Sequence, residues 1–128
     1  MAGYTIKNLK EIEDMAPKFG LAPNLEARFA RNELECERTG LSYQRLAPNT
    51  RGSFAHRHSQ DEEIYVVLAG TGRMRVGEET IEIAALDAIR VAPATLRAFA
   101  AGPEGLELLA FGTHAENDAS MTPIDWEQ

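Results

Sequence analysis

From residue 26 to residue 112 the chain is punctuated too often to hold a long helix, and this spacing constrains the fold more than any other feature. Segments suited to strands fall at 26–31, 34–39, 41–47, 54–58, 63–69, 72–76, 80–84, 87–91, 95–100 and 106–111. Between them lie Asn32, Gly40, Pro48, Gly70, GEE at 77–79, Pro93 and AGPEG at 101–105. Short strands separated at near-regular intervals by turn formers predict an all-β sandwich or barrel. IYVVLA at 64–69 is apolar on both faces, which places it in the interior and away from a sheet edge.

The ends read differently. Asn8 followed by Glu11 resembles a capping box, and Leu9, Ile12, Met15 and Ala16 fall at helical spacing, so one short amphipathic helix is expected over 8–16, ending before Pro17. It belongs to an N-terminal arm, residues 1–25, packed outside a barrel formed by 26–112. Residues 113–128 read as a C-terminal tail anchored by Ile124 and the lone Trp126, covering an apolar patch of this subunit or a partner.

With 128 residues, 44% of them hydrophobic and 26% charged, the chain fits one globular domain. Thirteen basic against 20 acidic residues give a formal charge of -7, and without a basic cluster nucleic acid is not an expected partner. The N-terminal segment lacks a long apolar run, so neither a signal peptide nor a membrane span is read there and a cytoplasmic location is expected. Cys36 is the only cysteine and has no internal disulfide partner; it reads as a half-buried strand residue.

The chemistry concentrates in HRHSQDEEIYVVLAG, residues 56–70. Side chains at i and i+2 of a strand share a face, roughly 6 to 7 Å apart at the backbone, so His56 and His58 can converge on one ion while Arg57 points away. If the chain reverses at SQDE, Glu63 at the start of the next strand comes beside them. Two imidazoles and a carboxylate suit a divalent first-row metal such as Fe, Mn, Ni or Zn. Two histidines at this spacing are equally compatible with solvated or internally satisfied side chains.

These residues resemble the first conserved motif of the cupins, small β-barrels of the double-stranded β-helix or jelly-roll type. The family pattern runs Gly, five residues, His, one, His, three or four, Glu, six, Gly. Here His56, His58, Glu63 and Gly70 take four of the five fixed positions, while Thr50 stands in the slot of the leading glycine. Glu62 is the alternate ligand if the register shifts by one; the six-residue gap to Gly70 favours Glu63. The second cupin motif is matched poorly. In LDAIRVAPATLRAF, beginning at Leu86, Arg97 stands where the family places a further histidine ligand, and a guanidinium donates hydrogen bonds and cannot coordinate a cation.

The resemblance implies a metal-binding cupin with a reduced set of His56, His58 and Glu63. Arg97, Phe99 and Tyr65 would then line a pocket for a small anionic organic molecule, with Tyr65 a candidate proton donor or a plain wall residue. Dioxygenase, isomerase, epimerase, decarboxylase and lyase chemistry are all open to such a site. A second reading is a metal-free small-molecule binder or sensor in which Arg97 pairs with Glu63. A third is an assembly module without a ligand. His114 reads as a solvated surface residue, and a homodimer is expected, as is common for small cupins.

Overall fold

The computed structural model describes residues 3–127. They form a mostly β structure with eight strands: β1 Leu25–Phe29, β2 Thr39–Leu46, β3 Phe54–His58, β4 Glu63–Val76, β5 Glu79–Ala84, β6 Ala88–Val91, β7 Arg97–Thr113 and β8 Ala119–Pro123. The expected all-β class is met by one antiparallel sheet curled into a half-barrel. Its spine is β4 beside β7, paired from Glu63↔Gly112 through Val76↔Arg97. On one flank β2 pairs β7 and β1 pairs β2. On the other, β5 and β6 pair successive halves of β4. Strand β3 touches β7 at His56↔Arg97 and is paired along its length by β8.

Alternation along the two spine strands builds the core. Tyr65, Val67 and Met74 of β4 meet Phe99, Leu106, Leu108 and Ala110 of β7, with Leu46, Ile83 and Val91 closing the cluster. Burying each such side chain contributes about 1.5 to 3 kcal/mol before chain entropy is charged against it.

The long strands run through residues that read as breaks. Gly70 and the 101–105 stretch bend β4 and β7 without ending them, with register shifts at Val67/Ala69 and Gly70/Gly72. Gly70 is required there: it has φ +82°, and a Cβ would lie 2.0 Å from the Gly105 carbonyl oxygen. At Gly112 a Cβ would likewise meet the Glu62 carbonyl oxygen at 2.0 Å, so glycine lets β7 lie against the start of β4. The left-handed residue in the turn leading into β3 is Asn49, φ 60°, which provides a tight turn where the leading motif glycine is absent.

Three expectations are corrected. The N-terminal helix is reduced to 3₁₀ turns at Leu9–Glu11 and Ala16–Phe19. Asn8 caps the first, accepting from the Lys10 N–H at 2.9 Å. The helix does not continue because Ile12 is extended and Asp14 bridges Arg28, exchanging helical hydrogen bonds for sheet contacts, while Pro17 sits inside the second turn. The 34–39 segment is not a strand up to Thr39: turns that include Glu35 at φ 57° carry half-buried Cys36. The C-terminal segment contributes β8 to the sheet. Trp126 then packs on its own subunit, donating from Nε1 to the Gly52 carbonyl at 2.9 Å beneath the guanidinium groups of Arg73 and Arg75.

Candidate metal centre

His56 and His58 leave β3 on its inner face, and the turn at 59–62 returns the chain so that Glu63 opens β4 opposite them. Glu63 Oε1 lies 3.4 Å from His56 Nε2 and 3.1 Å from His58 Nε2. One donor atom from each of the three residues falls within 4.8 Å of the others. Solvent reaches the cluster chiefly past His56, whose side chain is 30% exposed against 12% for His58 and 19% for Glu63.

Three further sequence-selected residues stand around Glu63. Tyr65 donates from its hydroxyl to Glu63 Oε1 at 2.6 Å and lies 3.3 Å from His56 Nε2. Its ring meets Phe99 edge-on with centroids 4.9 Å apart, and both rings are buried. Arg97, in register with His56, is fully buried and holds Nη1 3.8 Å from Glu63 Oε1. The alternate ligand Glu62 points elsewhere, half-exposed in an ion pair with Arg90 at 3.2 Å. His114 lies in the loop after β7, 3.6 Å from Glu116, apart from the cluster.

The electrostatics follow from this crowding. Burial alone would raise the Glu63 carboxyl, but hydrogen bonds with His56 and Tyr65 and the electrostatic influence of the two neighbouring histidines outweigh it and hold the group at about 2. For Tyr65, burial and the adjacent Glu63 charge both oppose a phenolate, so its pKa is pushed well above the usual range. Tyr65 is therefore set up as a hydrogen-bond donor that steadies Glu63.

A buried carboxylate behind His58 was missed by sequence reasoning. Asp118, immediately before β8, faces His58 from behind, with Oδ2 3.3 Å from Nδ1. Its carboxylate accepts from the backbone N–H groups of Ser59 (3.0 Å), Gln60 (2.9 Å) and Asp61 (2.9 Å), and from the Ser59 hydroxyl. The Ser59 hydroxyl is the largest influence holding Asp118 below the usual carboxylate range; burial opposes it and the backbone donors add to it. Asp61 in turn accepts from Thr113 Oγ1 at 3.2 Å and the Ala115 N–H at 3.0 Å, tying the turn to the end of β7. Nothing in the 119–123 sequence has the alternation of a half-buried strand, and all five residues of β8 are exposed.

A model of the cupin domain matches residues 42–112, more than half of the chain. The chain belongs to the cupin family. The matched stretch of this cupin runs from β2 to the end of β7 and leaves Asp118 outside. Comparison with curated proteins finds no match. Among solved structures, a cupin protein from Bacteroides fragilis is 24% identical, with 91% of this chain and 89% of that one covered and a TM-score of 0.73. The polyketide cyclase RemF from Streptomyces resistomycificus is 15% identical over 95% of this chain and 87% of its own, at a TM-score of 0.74. Oxalate decarboxylase from Bacillus subtilis is 19% identical over 91% of this cupin, which spans only 32% of that enzyme, at a TM-score of 0.72. At these identities the likeness is one of fold.

The donor set fits a divalent first-row metal. Two ring nitrogens and a carboxylate oxygen converge from rigid strands, and a second carboxylate backs one of the imidazoles, as is usual for ligating histidines. The overlapping cluster of His58, Asp61 and Asp118 is a different matter, because its carboxylates already accept backbone hydrogen bonds. A cavity of about 300 Å³ opens beside it, lined by Arg57, His58, Ser59, Ala94, Asp118 and Ser120. Among the described residues no helix is long and apolar enough to cross a membrane.

Proposed function

We propose that this cupin binds a divalent transition metal through His56, His58 and Glu63 and presents it to a small anionic organic molecule. The observation that carries the reading is the approach of both Nε2 atoms to the same Glu63 oxygen, at 3.4 and 3.1 Å. The Mn(II) centres described for Bacillus subtilis oxalate decarboxylase make manganese a reasonable first metal to test, alongside Fe, Ni and Zn.

Preference for an anion follows from charge. Arg97 offsets Glu63 at 3.8 Å, so the positive charge of a divalent ion in this cluster is left for an incoming anion to neutralise. Arg97 Nε and Nη1 are buried without hydrogen-bond partners, so part of the guanidinium's donor capacity is unspent. When bound, the ion supplies Lewis-acid polarisation of a ligand oxygen. The protein's own contributions are to fix Glu63 through Tyr65, to hold positive charge at Arg97 and to exclude water with the Tyr65 and Phe99 rings.

A second reading has its own support: full burial of Arg97 within ion-pair distance of Glu63 suits a metal-free binder or sensor in which the arginine takes the place of the metal's charge. Elemental analysis of protein purified without an affinity tag separates the two, a stoichiometric transition metal supporting the first and its absence after reconstitution the second.

We also read the chain as a homodimer. Ile64, Val66 and Leu68 of β4 and Phe111 of β7 share the outward face of the sheet, and Leu68 and Phe111 are 41% and 39% exposed. Light scattering should give twice the chain mass; a monomer at high concentration contradicts this.

A further inference from the structure

Three residues form a row across three strands. Arg97 of β7 is in register with His56 of β3, and His56 in turn with Met121 of β8. Residues directly opposite each other in antiparallel strands share a face at about 5 Å, so all three side chains leave the sheet on the same side. Exposure climbs along the row: Arg97 is fully buried, the His56 side chain is 30% exposed and Met121 is 68% exposed. The row thus leads from the buried guanidinium, past the metal cluster, to Met121 at the mouth. Phe54 precedes His56 by two residues on the same face of β3 and is 47% exposed beside that mouth.

We propose that Met121 and Phe54 form an apolar lip that selects, among small carboxylates, those carrying an aryl or alkyl group. The proposal rests on the anion-binding reading above and deepens it. With the carboxylate drawn inward by Arg97 and the metal, the rest of the molecule lies along the row toward solvent, where an apolar group laid over Met121 and Phe54 removes area from water on both partners. A carboxylate as compact as acetate ends short of the lip. Methionine suits the role, because its unbranched, polarizable side chain adapts to the shape laid against it.

The lip is held by anchors at both ends of β8, a strand outside the stretch that matches the cupin family. Before it, Asp118 accepts from the backbone N–H groups of Ser59, Gln60 and Asp61. After it, the Ile124 N–H donates to the Ser53 carbonyl at 3.2 Å, next to Phe54.

The test titrates Zn(II)-loaded protein, labelled with ¹³C in its methionine methyl groups, with phenylacetate and with acetate. The Met121 signal, assigned by its absence in Met121→Leu, should move with phenylacetate and not with acetate, while that of Met15 in the N-terminal arm stays still with both. By calorimetry phenylacetate should bind about tenfold or more tighter than acetate, since each buried methylene is worth about fourfold, and the ratio should fall to about twofold or less in a Met121→Thr, Phe54→Thr double variant and persist in Met121→Leu. Both positions are exposed and threonine suits a strand, so the fold should hold, with Zn(II) content as the check. A motionless Met121 signal, a ratio near one in the wild type or an unchanged ratio in the double variant overturns the lip alone. Loaded protein that binds neither anion overturns both the lip and the anion-binding reading, with the metal site left standing. If the wild type takes up no Zn(II), the metal-binding reading fails and the same titrations of metal-free protein decide the lip, which a ratio near one or no binding overturns.

Discussion

Arg97 Nη1 stands 3.8 Å from Glu63 Oε1, within ion-pair distance but with no hydrogen bond between them. The guanidinium donates instead from Nη2 to the Ala92 carbonyl at 3.1 Å. Without a shared hydrogen bond the pair forgoes most of what makes buried ion pairs strong, and Glu63 retains its bonds to the histidines and Tyr65. A double-mutant cycle of Arg97→Met and Glu63→Gln, followed by urea denaturation without metal, is expected to give a coupling below about 1 kcal/mol. A coupling of about 3 kcal/mol or more would favour the metal-free pairing.

Arg97→His should strengthen metal binding, by about tenfold or more, because it replaces a cation with a third imidazole, the fourth protein ligand at the site. The same change should weaken capture of small carboxylates, since the permanent positive charge is lost. Calorimetry with Mn(II), and then with a carboxylate on the loaded protein, checks both signs.

Tyr65→Phe removes the 2.6 Å hydrogen bond to Glu63 while keeping the ring against Phe99. A hydrogen bond to a charged acceptor contributes about 1.5 to 3 kcal/mol, so a loss in that range is expected in urea denaturation. Metal affinity should fall as Glu63 loses its fixed orientation. Unchanged stability would mean that the hydroxyl does not hold the carboxylate.

The pH dependence of stability should carry the signature of Glu26. Its carboxylate, 8% exposed, takes Lys10 Nζ at 2.7 Å, Arg28 Nε at 2.6 Å and Arg45 Nε at 3.0 Å, joining the N-terminal arm to β1 and β2. Burial pushes its pKa up, but these three donors prevail and hold it at about 2, below its ordinary 4.5. A depressed carboxylate stabilises the fold above its unfolded pKa, and the contribution is lost as pH falls from about 4.5 toward 2. Glu26→Gln should therefore be less stable by roughly 1 to 2 kcal/mol at neutral pH, with the difference closing over that window. A gap that does not change with pH would contradict this account.

The cluster was legible because each part of it is local. A strand places His56 and His58 on one face, and a four-residue turn returns Glu63 to them, so spacing alone carries the geometry. Arg97 and Phe99 followed from the alignment of the second motif with the strand opposite. Asp118 was hidden because its position depends on pairing between β3 and a strand sixty residues later that has no apolar face to announce it. Continuity of β4 and β7 was hidden for the opposite reason: Gly70 and the glycines of AGPEG, read as turn residues, serve here to bend strands that carry on. The N-terminal capping signal was correct at Asn8, but the sheet contact of Asp14 with Arg28 prevailed over helical propensity.

The most direct test is the metal content of the protein purified without a tag and reconstituted with Mn(II), compared with a His56→Ala, His58→Ala double variant treated identically. Removing both imidazoles leaves only Glu63, which cannot hold a divalent ion with useful affinity. About one transition-metal ion per chain in the wild type and none in the double variant is the result predicted. A metal-free wild type, or equal metal in both proteins, would contradict the assignment of His56, His58 and Glu63 as the site.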